Sequence, residues 1–164
     1  MNDKYTLSAE TRTVSGHTLR RIKALKNLAY ARAGQLGGWI ETPRNLAPSG
    51  AAWVAEDAQV YGAAQVLEDA LVFGEATVSG TARITGSARV GDKAWISERA
   101  SVTDDALVTG KARICGHALV GGSAWVGDHA WIAGTVGVFG YARVRGRTRL
   151  DANEWISGEV MMAG

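Results

Sequence analysis

Residues 94–120 read Ala94-Trp95-Ile96-Ser97-Glu98-Arg99, Ala100-Ser101-Val102-Thr103-Asp104-Asp105, Ala106-Leu107-Val108-Thr109-Gly110-Lys111, Ala112-Arg113-Ile114-Cys115-Gly116-His117 and Ala118-Leu119-Val120. Each block of six puts Ala two residues before a branched aliphatic residue and Gly, Asp or Glu two residues after it. Followed outward, every sixth residue from Val54 to Ile156 is Val, Ile or Leu, eighteen in succession, and Ala precedes fifteen of them; Val136, Thr148 and Glu154 take its place in the other three. Residues two apart face the same side of an extended segment, and a following Gly permits a sharp corner. Each block is therefore one short strand and one turn. A period of six does not match the 3.6 of a helix, and β-branched residues favour strands.

A six-residue unit cannot bury its apolar edge alone. Three units closed into a triangle make an 18-residue coil whose inward residues stack on those of the next coil. The eighteen hexads predict an all-β parallel β-helix with three six-residue sides per coil and about six regular coils. Each buried branched side chain contributes about 1.5–3 kcal/mol, an upper bound because unfolded chains already bury part of that surface.

Residues 1–38 read as an N-terminal capping segment. Tyr5 to Leu7 is strand-like, and Thr11 to Val14 and Thr18 to Ile22 flank a Ser15-Gly16 turn, which predicts a β-hairpin cap. Ile40 and Leu46 keep the six-residue step, and two extra residues near Pro48-Ser49-Gly50 reset the register before Val54, so the rod, residues 39–164, begins near Trp39. Ser157 to Gly164 is a short tail that covers a coil poorly; this end is expected to meet another chain.

With 46% hydrophobic and 21% charged residues the composition is that of a folded, non-membrane protein, and a net charge of +2 does not by itself imply a nucleic-acid partner. Cys115 is the sole cysteine, so no disulfide framework exists, and the first residues lack the apolar stretch of a secretory signal; a cytoplasmic location is expected.

Hexads with Ala two before Val or Ile resemble the hexapeptide-repeat proteins, a resemblance that implies a left-handed coil. Gly34-Gln35-Leu36-Gly37-Gly38-Trp39-Ile40-Glu41, then Asn45-Leu46, Gly50 and Trp53-Val54, resemble more closely the YdcK-like proteins of bacteria and prophages. That family is credited with acyltransferase activity largely by analogy of fold, and fold does not fix function. In hexapeptide-repeat acyltransferases a histidine serves as general base near a neighbouring subunit, and loops interrupt the coils to embrace the acyl carrier. Here no loop interrupts Val54 to Ile156, and neither His117 nor His129 has an evident carboxylate partner. The carbonic anhydrases of this fold need three histidines on zinc; His117 and His129 fall on different corners, on the order of 15 Å apart at ~3.3 Å per residue, and His17 lies in the cap. No phosphate loop or nucleophile motif is present, and Cys115 has only a basic neighbourhood to activate it. No catalytic residue, metal site or cofactor is expected.

Positions eighteen apart stack, so the outer surface can be written as columns. One face shows Trp53, Leu71, Arg89, Leu107, Trp125 and Arg143, with Phe73 beside Leu71; its apolar members Trp53, Leu71, Phe73, Leu107 and Trp125 predict a homo-oligomer interface. The second carries Gln59, Thr77, Trp95, Arg113, Trp131 and Arg149, in which Trp and Arg alternate. The corner between them stacks Asp57, Glu75, Lys93, Lys111, His129 and Arg147 and turns from acidic to basic. A non-catalytic binding or structural rod is expected, with Trp95, Lys111, Arg113, Trp125, His129, Trp131, Arg143, Arg145, Arg147 and Arg149 as candidate binding residues for an anionic ligand such as a nucleotide, or for a host protein. The alternatives are a solvated face, since Trp and Arg also suit the outside of a flat sheet, and an acyltransferase built between subunits.

Overall fold

The computed structural model describes residues 2–164 and is a parallel β-solenoid of about seven turns. Its three sheets follow from the sequence period. From Trp53 onward the strands pair in parallel with those eighteen residues away, as in Trp95↔Arg113, Leu107↔Trp125 and Ser101↔Leu119. The sheets have nine, seven and six strands, the largest including the cap. From Ala52 to Val144 the inward Ala and branched residues are 1% exposed or less, and they stack into one continuous core.

The ladder extends one position beyond the sequence reading at the C-terminal side. Met161–Ala163 pairs with Arg143–Arg145, and Met162 faces Val144 as the next inward residue. At the other side, Ile40 aligns with Val60 and Leu46 with Val66, steps of twenty rather than eighteen, which places the two extra residues within the first turn. Asn45, in the 3-10 turn Pro43–Asn45, holds that irregular turn in place. Its buried side chain accepts from the Glu41 and Thr42 amides and donates to the Gly62 and Ala64 carbonyls, so all its hydrogen-bonding capacity is used.

The hairpin consists of β1 (Tyr5–Val14) and β2 (His17–Ala24), joined by Ser15 and Gly16 at φ 49° and 82°, the positive values of a primed two-residue turn. β2 pairs antiparallel with β3 (Leu36–Ile40), and β3 pairs in parallel with Gln59–Val60. The cap thus extends the nine-stranded sheet. Tyr5, Ile22 and Ala24 join the core and cover its first turn. Gly37 and Gly38 allow this close approach, because a Cβ on either would lie 2.6 Å from a backbone carbonyl oxygen, of Val54 or Ala58 respectively.

One expected surface residue is inside. Trp53, assigned from its column to an outward oligomer face, is 0% exposed, and its ring meets Tyr5 edge-on at 6.5 Å. The column rule holds, but the hairpin covers its first member. Leu71, Phe73, Leu107 and Trp125 remain on that face and are half-buried. No helix among the described residues is long and apolar enough to cross a membrane.

Candidate functional site

The Trp and Arg columns are built by parallel register. Trp95, Arg113, Trp131 and Arg149 are consecutive partners in the nine-stranded sheet, and Leu107, Trp125 and Arg143 in the seven-stranded one. Outward alternation then sets each side chain beside its neighbour one coil away. The Arg149 guanidinium lies 3.6 Å from the centroid of the Trp131 ring, and that of Arg113 lies 5.3 Å from Trp95. Arg145, two residues beyond the column, covers Trp125 at 4.8 Å. Each indole leans back toward the preceding coil, with Trp125 Nε1 donating to Thr109 Oγ1 at 3.0 Å and Trp131 Nε1 to Cys115 Sγ at 3.4 Å. These arginines therefore occupy faces of Trp95, Trp125 and Trp131 that a flat ligand ring would otherwise use.

Two of the arginines also have carboxylate partners. Arg149 Nε is 2.9 Å from Asp151, and Arg145 Nε is 3.6 Å from Asp128. The corner column behaves differently along its length. Asp57 meets Arg12 of the hairpin at 3.3 Å, and Glu75 meets Lys93 at 3.5 Å, so its acidic half is paired with cations. Lys111, His129 and Arg147 follow with no acidic partner among the described residues. Their backbones are locked in line by the stacked corners: the His129 amide donates to Gly146 O at 2.8 Å, and those of Lys111 and Arg147 donate to the equivalent carbonyls of Asp128 and Gly164. Three basic side chains thus stand one coil apart along a convex ridge, roughly 4.8 Å per step.

Of the ten candidate residues the structure brings Lys111, His129 and Arg147 together on the ridge. Arg113 and Arg149 lie on the adjoining face beside Trp95 and Trp131, and Arg145 with Trp125 on the other. Arg143 follows Trp125 in the seven-stranded sheet and lines a cleft of about 320 Å³ with Tyr141, Glu159, Val160 and Met161.

Sequence reasoning missed one polar arrangement. His17, at the hairpin tip, places Nδ1 3.0 Å from Glu41 Oε1 and packs against Tyr61 with centroids 4.8 Å apart and the rings tilted by 36°. Glu41 Oε2 accepts from the Gly62 amide at 2.8 Å; the bonds from His17 and Gly62 hold the Glu41 carboxyl below its usual range. No spacing rule could reveal it, because the hairpin's fold over the sheet brings together residues 24 apart. His117, by contrast, meets Arg99, whose Nη1 is 3.4 Å from its Nε2, and no carboxylate orients it. No protein-family model matches the chain, and no curated protein matches it either.

Proposed function

We propose that this protein is a non-catalytic β-helical binding rod whose Lys111–His129–Arg147 ridge engages the phosphates of a nucleotide or of single-stranded nucleic acid. The observation that carries this reading is the run of three basic side chains, one per coil, none of which forms an ion pair among the described residues, while the acidic members of the same column are paired. Closely spaced cations on a rigid scaffold raise the local potential, and the rod holds them without a further ordering cost. Arg113, without an ion-pair partner among the described residues, flanks the ridge and offers a planar fork for phosphate oxygens, and Arg149 flanks it while paired with Asp151. Trp95 keeps 43% of its surface exposed although Arg113 lies over one face, and it is the aromatic ring on this side most open to a base. A convex ridge matches an extended chain of phosphates better than an enclosed small molecule. The uninterrupted coils support binding over acyl transfer, since they supply no loop to hold an acyl arm. A prophage origin and a host target belong to the same proposal through the resemblance of the first turn.

Titration of a fluorescent single-stranded oligonucleotide and of a nucleoside triphosphate tests the proposal. With about three phosphate contacts, the logarithm of the oligonucleotide association constant falls against the logarithm of salt concentration with a slope of roughly −2. Lys111→Glu combined with Arg147→Glu is expected to weaken binding at least about tenfold while leaving the melting temperature in place, because both side chains are outward. Binding of neither probe by the wild type, or unchanged affinity in the double variant, contradicts the reading.

A further inference from the structure

Large exposed side chains gather around the last strands, continuous with the Arg143 end of the face that the columns nominated for oligomer contact. Trp155 is 71% exposed, Tyr141 66% and Met161 64%, against 43% for Trp95, the next most exposed aromatic ring. Tyr141 and Glu159 stand one coil apart at the corner between the six- and seven-stranded sheets, and Arg143 and Met161 are register partners on the adjoining outward face. Trp155 stacks on Phe139 at 5.5 Å with an interplanar angle of 7°, bringing its ring toward the same corner. All of these positions point sideways from the rod by strand alternation or corner geometry, so the patch is lateral. Trp, Tyr, Met and Arg are the residue types that interfaces concentrate, and an exposed cluster of them marks a contact surface.

The charges name the occupant. Arg143 and Glu159 line one cleft with Tyr141, yet neither is within ion-pair distance of any opposite charge among the described residues. A patch with one unpaired cation and one unpaired anion is self-complementary under a two-fold axis, where a residue i meets j and j meets i. We infer that a second copy of this chain docks here, with Arg143 of each protomer meeting Glu159 of the other around an apolar centre of Tyr141, Met161 and Trp155. A stable interface buries about 800 Å² per partner, about a tenth of the 7930 Å² surface of this chain.

Sedimentation equilibrium of the full chain between about 1 and about 200 µM is expected to show a monomer–dimer equilibrium within this range. Arg143→Glu or Glu159→Arg alone places like charges across the axis and weakens association at least about tenfold; the double variant Arg143→Glu/Glu159→Arg exchanges the charges and restores it to within about threefold of the wild type. Met161→Ser with Tyr141→Ser abolishes the dimer without lowering the melting temperature measured at concentrations where the wild type is monomeric, since both residues are outward. A single monomeric mass across the range overturns the inference. So does a dimer that survives the single charge reversals, or a double reversal that fails to rescue.

Discussion

From Glu56 to Gly146 each corner of the rod turns on one residue with positive φ, and that residue is Gly, Asp or Glu. Glu98 at φ 59° and Gly116 at φ 71° are consecutive members of one column. A side chain in this left-handed region costs on the order of 1 kcal/mol, so an acidic residue there needs compensation. It comes from the next coil. Glu98 Oε2 accepts from the Gly116 amide at 2.6 Å, and the same eighteen-residue bridge joins Glu56 to Gly74, Asp92 to Gly110, Asp104 to Gly122 and Asp128 to Gly146. Glu98→Ala keeps the strain and loses the bond, and should lower unfolding stability by about 1 kcal/mol; Glu98→Gly loses the bond but relieves the strain and should be close to neutral. Denaturant titration of the two variants separates these outcomes. The corner glycines were legible as turn formers, and the acid-to-Gly alternation of Glu56, Gly74, Asp92, Gly110, Asp128 and Gly146 is visible once the sequence is read in steps of eighteen. The amide each carboxylate satisfies was not, because it belongs to another coil.

At the scale of the element, the hairpin is tied to the first turn by groups with no periodic signature. Lys4 is 1% exposed, and its Nζ donates to Ala47 O at 2.9 Å and Ser49 O at 3.4 Å. Burial lowers its pKa from 10.5 to about 8, with the Asp69 charge opposing and Lys26 reinforcing that shift. Between these values the unfolded chain holds the Lys4 proton more tightly than the folded one, so stability rises with pH. The gain from pH 8 to pH 10 is about 2 kcal/mol. Tyr5, whose hydroxyl donates to Leu46 O, has its pKa raised by burial; this works in the opposite sense above pH 10, where the folded state resists ionisation. Lys4→Met should flatten the rise between pH 8 and pH 10 in thermal unfolding; an unchanged slope would assign it to other groups. Sequence alone placed the hairpin and its Ser15-Gly16 turn correctly, because turn chemistry is local. It misplaced Trp53 because covering that ring takes Tyr5, Gly37 and β2 from elsewhere in the chain.

At the scale of the whole molecule, regular addition of coils converts a linear sequence into a surface that can be read by arithmetic. The basic ridge, the Arg-covered indoles and the self-complementary patch are consequences of residues eighteen apart becoming neighbours. The columns of Lys111, His129 and Arg147 and of Trp95, Arg113, Trp131 and Arg149 were legible in the sequence for this reason. Which cations remain unpaired was not, since pairing depends on how side chains lean across corners, as Arg145 does toward Asp128 and Arg149 toward Asp151. Charge is also distributed by position: the cap through residue 38 holds seven Lys and Arg against two Asp and Glu, so both the cap and the Arg143–Arg149 turn are basic relative to the rod between them. The proposed ligand binding on the ridge and the proposed pairing at the lateral patch both presuppose an unbroken stack. Electron–electron distance spectroscopy on Cys115→Ser carrying spin labels at Glu75→Cys and Arg147→Cys tests it most directly, because four coils separate these positions. A narrow distribution centred near ~19 Å, four steps of ~4.8 Å broadened by the label arms, is predicted. A broad distribution, or a centre displaced by more than the label length, would contradict the stacked rod and every column drawn from it.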